Sequence, residues 1–108
     1  RFVTGGTYAP VQLWDANTGK EIRTFGKHSF VRVAFHPNAK WIVGVSNYAE
    51  KVKSGTVKVL DIATGREVVS FRAHEYLATN MDISTDGKRI AVCFDDGHVS
   101  VWSLNEEP

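Results

Sequence analysis

The side chains able to do chemistry in these 108 residues are few, and their spacing argues against most of it. Four histidines stand at His28, His36, His74 and His98 with no His-x-x-x-His or His-Glu-x-x-His pair, so no metal centre is expected. Serines, histidines and aspartates are all present, but no Gly-x-Ser-x-Gly elbow raises a nucleophile, and no catalytic residue is assigned. Gly5-Gly6-Thr7 lacks the spacing and the strand-to-helix setting of a phosphate loop; it reads as a turn, and no cofactor is expected. Cys93 is the single cysteine, which excludes an internal disulfide and a Cys-based zinc site. Between Val92 and Phe94 it reads as a buried, inert thiol. His36, just before Pro37, reads as a surface turn residue, and His98 as the start of a strand.

The elements that hold these residues follow from composition. Apolar residues make up 43% and charged residues 23%, the balance of a folded globular chain. Lys and Arg number 13 against 12 Asp and Glu, so no global field draws nucleic acid or anionic lipid. The apolar runs fall far short of the roughly 18–20 residues of a membrane span, which argues against an integral membrane protein. Fourteen Val, five Ile and eight Thr against four Leu favour a pleated surface over a helix. Alternating runs recur at Val11-Gln12-Leu13, Val31-Arg32-Val33, Val57-Lys58-Val59 and Val99-Ser100-Val101. Turn signals separate them: Asn17-Thr18-Gly19, Pro37-Asn38, Ala63-Thr64-Gly65 and Thr85-Asp86-Gly87. An all-β chain is expected.

A repeat organises the strands. Asp15–Glu21 aligns with Asp61–Glu67, and the same shift of 46 (15 to 61) carries Phe25 onto Phe71 and His28 onto His74. Arg1–Asp15 aligns without a gap on Arg89–Ser103, a shift of 88 (1 to 89). The unit averages about 44 residues, the period of four-stranded propeller blades.

Val11-Gln12-Leu13-Trp14-Asp15, then Thr18-Gly19-Lys20-Glu21, then Lys27-His28, resembles the WD-repeat family of β-propellers. The second unit has Thr56–Asp61, Thr64-Gly65-Arg66-Glu67 and Ala73-His74; the third has Ser84–Ala91, Asp95-Asp96-Gly97 and Val101-Trp102. The resemblance implies blades of four-stranded antiparallel sheet in a partial ring of a seven-bladed propeller. Residues 1–25 would supply strands b, c and d of one blade, 30–72 a complete blade, and 78–104 strands a, b and c of a third. A chain stopping after a strand c, with polar Asn105-Glu106-Glu107-Pro108, is expected to be a C-terminal fragment that needs the remaining blades to close the ring.

The resemblance also implies a hydrogen-bonded set in each blade: a His before strand a, a hydroxyl in strand b, an Asp in the b–c turn and the Trp of strand c. His28, His74, Asp96, Trp14 and Trp102 take structural roles on this basis. The set has decayed: Val92 replaces the hydroxyl in the third unit, Gly44, Ser54 and Leu60 fill three places in the second, and Tyr8 stands for the Asp in the first beside Thr4. Between strands b and c the second unit carries an insertion, Asn47–Ser54. With the family's b–c and d–a loops on one face of the disc, Tyr8, Phe30, Tyr48, Lys51, Lys53, Arg72, Glu75 and Tyr76 form a candidate partner-binding face. Aromatics beside Arg and Lys are the usual interface anchors. The plainer alternative has Phe30 and Tyr76 packing the starts of their strands while the lysines are solvated.

The implied function is a non-catalytic scaffold that binds other proteins through loop surfaces. The alternative is a regulatory or substrate-recognition propeller of an enzyme whose catalytic part lies outside this segment. Nucleic-acid binding through Lys51 and Lys53 is disfavoured by the near-neutral charge. The lone cysteine, the lack of a visible targeting signal and family habit point to an intracellular protein, cytoplasmic or nuclear.

Overall fold

The structure, a computed structural model, describes residues 1–6, 9–25, 30–46, 55–74 and 77–104, with the backbone alone at 9 and 72–74. Ten strands lie among the described residues: β1 (Phe2–Gly6), β2 (Ala9–Trp14), β3 (Glu21–Phe25), β4 (Arg32–Phe35), β5 (Trp41–Ser46), β6 (Gly55–Asp61), β7 (Glu67–His74), β8 (Ala78–Ile83), β9 (Arg89–Phe94) and β10 (Val99–Ser103). They form three antiparallel sheets, β1-β2-β3, β4-β5-β6-β7 and β8-β9-β10, each taking its strands in chain order. The all-β class expected from the β-branched composition is the one found, and the sheets match partial propeller blades.

Side-chain alternation decides which faces meet. Val11, Leu13 and Phe25 of the first sheet bury against Phe30, Ile42, Leu60 and Ile62 of the middle one. Val43, Val45, Val57 and Val59, pointing the opposite way, bury against Met81, Ile90, Val92, Phe94 and Leu104 of the third. Each such side chain contributes roughly 1.5–3 kcal/mol on burial. The middle sheet is therefore covered on both faces, and β5 reads as a continuous apolar run, Trp41-Ile42-Val43-Gly44-Val45. The third sheet is covered on one face, and β9 alternates.

That alternation corrects one expectation. With Ile90, Val92 and Phe94 turned inward, Cys93 must turn outward, and its thiol is exposed rather than buried. On the same outer face Val99 and Val101 are 62% and 59% exposed. Gly5 and Gly6 are corrected too: they end β1 rather than form a turn, and Gly6 pairs with Ala9 after a register shift.

Candidate functional site

The expected partner-binding face is described only at its roots. Tyr8, Tyr48, Lys51, Lys53, Glu75, Tyr76 and His28 lie outside the described residues, and Arg72 and His74 are described by backbone alone. The insertion 47–54 leaves β5 after Ser46 and rejoins at Gly55, beside Thr56. Ser46 and Thr56 are cross-strand partners and are 2% and 6% exposed, so the insertion springs from a closed, ladder-paired base. Gly55 in turn pairs with His74 of β7.

Phe30 does not belong to an open face. It is 1% exposed, and its ring occupies the space a side chain on Gly44 would need: a Cβ there would stand 2.6 Å from the ring. Glycine at 44 thus admits Phe30 into the core, and the expectation that Phe30 offers itself to a partner is corrected.

The described members of the polar set sit in three different settings. In the first sheet Trp14 Nε1 donates to Thr4 Oγ1 at 2.9 Å, and the indole stacks on Phe2 with centroids 6.2 Å apart. In the third sheet Val92 stands where Thr4 stands in the first, and Trp102 meets Phe71 of the middle sheet edge-on at 5.4 Å. Asp96 anchors the turn before β10: its Oδ1 accepts the His98 N–H at 3.0 Å, and its Oδ2 meets His98 Nδ1.

The opposite end of the sheets carries four turns of one design. Between β2 and β3, Asp15 Oδ1 accepts the N–H groups of Asn17 and Thr18 at 2.8 and 3.1 Å. These two bonds, Thr18 first, hold the Asp15 carboxyl below its ordinary range. Between β6 and β7, Asp61 Oδ2 accepts from Thr64 Oγ1 at 2.8 Å. Between β4 and β5, Asn38 Oδ1 accepts the Lys40 N–H at 2.8 Å; between β8 and β9, Asp86 Oδ1 accepts the Lys88 N–H at 2.9 Å. The residue before each cation has positive φ: Gly19, Ala39, Gly65 and Gly87 at 73°, 63°, 75° and 74°. Lys20, Lys40, Arg66 and Lys88 therefore leave their turns at equivalent places.

These turns also join the sheets. His36, expected at the surface, is 1% exposed, because Gly87 of the third sheet closes over it. Asn38 N–H donates to His36 Nδ1 at 3.1 Å, which leaves the proton on Nε2, and Nε2 donates to the Gly87 carbonyl at 2.7 Å. Trp41 packs on the imidazole at 5.0 Å. At the other junction Arg23 of β3 donates from Nη2 to the Ala63 carbonyl at 2.9 Å. Sequence reasoning missed both His36 and Arg23. The repeat held a signal for Arg23 but not for His36: Arg23 aligns with apolar Val69, as Arg1 does with Trp41.

Among the described residues no group of three or more His, Cys, Asp or Glu could hold a metal ion, and no helix is long and apolar enough to cross a membrane.

The family model described as "WD domain, G-beta repeat" matches residues 19–61 and 65–103. Mouse Coronin-7 is 26% identical over 117 aligned residues, which take in all of this chain and 12% of that protein. The Drosophila melanogaster small ribosomal subunit protein RACK1 is 26% identical over 105 residues, 94% of this chain and 33% of that protein. The Arabidopsis thaliana vacuolar protein sorting-associated protein 41 homolog is 42% identical over 50 residues, 46% of this chain and 5% of that protein. The chain thus spans a third or less of each of these relatives.

Proposed function

Because the chain belongs to the WD-repeat family, we propose that it is a non-catalytic part of a propeller scaffold that binds other proteins through its loop end. WD repeats in general build protein-interaction surfaces. In this reading residues 1–25, 30–72 and 78–104 are one partial, one complete and one further partial blade of a seven-bladed ring closed by other blades, and the protein works inside the cell.

One observation carries the reading. The insertion 47–54 is rooted on the buried Ser46–Thr56 pair of the sheet that is covered on both faces. A loop fixed at its base loses less conformational freedom when a partner docks, which favours binding. Tyr48, Lys51 and Lys53 supply the aromatic and cationic groups, and Tyr8, Arg72, Glu75 and Tyr76 complete the proposed face. The experiment exchanges Tyr48, Lys51 and Lys53 for Ala in the full-length protein and measures partner recovery by affinity capture. Loss of a subset of partners with an unchanged melting temperature supports the reading. Retention of every partner overturns it.

A further inference from the structure

The two sheet junctions have equivalent clefts at the turn end, and the repeat makes their chemistries comparable position by position. Between the middle and third sheets a cleft of about 350 Å³ is lined by Trp41, Val59, Val68, Val69, Phe71 and Leu104, with Ser103. Between the first and middle sheets a cleft of about 410 Å³ is lined by Arg1, Ala39, Lys40, Asp61, Ile62 and Ala63. Ile62 and Leu104 occupy the same position in their sheets: the Ile62 N–H donates to Lys40 O at 2.9 Å, and the Leu104 N–H to Lys88 O at 2.7 Å. Where Trp41 lines the second cleft, Arg1 lines the first. Where Val69 lines the second, the matching Arg23 is held at the rim of the first by the Ala63 carbonyl.

Two apolar positions of the junction have thus become cations, Arg1 and Arg23, beside Lys40, whose counterpart at the second junction is Lys88. Facing them is Asp61, with one oxygen already engaged by Thr64. Among the described residues none of the three cations forms an ion pair. Gly65 lets the guanidinium lie close against the turn, because a Cβ there would stand 3.1 Å from Arg23 Nη1. We propose that this cleft is a second docking site, which takes an acidic side chain of a partner protein. Arg23 offers a planar fork already oriented by one hydrogen bond, the geometry suited to a carboxylate. Lys40 adds a point charge on the opposite wall. The site is one local cluster of exposed cations rather than a basic stripe, and the chain's net charge is only +1, so a single acidic group fits it better than a nucleic-acid backbone. It lies at the opposite end of the strands from the 47–54 insertion and does not depend on the loop-end reading.

The test uses the full-length protein and a dye-labelled peptide with four consecutive glutamates, followed by fluorescence anisotropy at low salt. Binding should weaken roughly tenfold, about 1.4 kcal/mol, in Arg23→Gln and again in Lys40→Gln, with melting temperatures held. Replacing Tyr48, Lys51 and Lys53 by Ala should leave it unchanged, which separates this site from the loop end. No binding at low salt, binding by both cleft variants as tight as that of the unchanged protein, or loss only in the loop variant overturns the proposal. So does tighter binding of a single-stranded oligonucleotide at the same residues.

Discussion

His36 of the β4–β5 turn donates from Nε2 to the carbonyl of Gly87 in the β8–β9 turn, a bond of 2.7 Å between residues of different sheets. The two residues also fit sterically. A Cβ on Gly87 would stand 2.5 Å from the imidazole, and the positive φ of 74° is one that L side chains rarely adopt. Hydrogen bond, close approach and backbone conformation converge on one pair.

His36→Ala removes the donor, strands a buried carbonyl and opens a void beside Trp41. It should cost about 2–4 kcal/mol. Gly87→Ala should cost a similar amount through the clash and the left-handed backbone. The double variant should be less harmful than the sum, because the clash disappears with the ring while the backbone penalty of about 1 kcal/mol stays. Chemical denaturation of the four proteins measures the coupling, and strict additivity would contradict the described contact.

Gly44→Ala tests a different kind of closeness. Here the obstacle is space alone, a Cβ 2.6 Å from the Phe30 ring. Overpacking of this sort costs about 1–3 kcal/mol. Phe30→Leu in the same chain should recover part of the loss, read from the denaturation midpoint.

The turn carboxylates set an acid limb. Ser84 Oγ and the Lys88 N–H hold the Asp86 carboxyl below its ordinary range, as Thr24 and then Gln12 do for Glu21. A lowered folded-state pKa means stabilisation that is complete above about pH 5, where unfolded carboxylates are largely ionised. It is lost as pH falls through the lower folded-state values. Asn38 performs the Asp86 role in the middle sheet without a charge. Asp86→Asn should therefore keep the turn at neutral pH and shrink the drop in urea midpoint between pH 6 and pH 3. An unchanged drop would remove Asp86 from the acid limb.

The sheets were legible because strand alternation and the repeat both act along the chain. The junctions were less so, because a buried polar residue needs a partner that local sequence does not reveal. His36 beside Pro37 looks like any turn residue until Gly87, 51 positions away, closes over it. Phe30 resembles an exposed aromatic until Gly44 in a neighbouring strand makes room for it. Cys93 was misjudged for a local reason: its neighbours Val92 and Phe94 are apolar, but period-two alternation turns all three by parity, not by company. Arg1, Arg23 and Lys40 are scattered in sequence, and only the packing of the first sheet on the middle one brings them to one junction.

Every strand pairs with the strand that precedes or follows it, so each ladder closes over a short loop. Hairpins can form before any sheet meets another, and the entropy of long-loop closure does not delay them. Docking then spreads from one sheet to the next, as in a row of tiles. The middle sheet is the one whose hydrogen bonds are shielded from both sides. Its amides should be the last to exchange with deuterium, and those of β1 and β10 among the first.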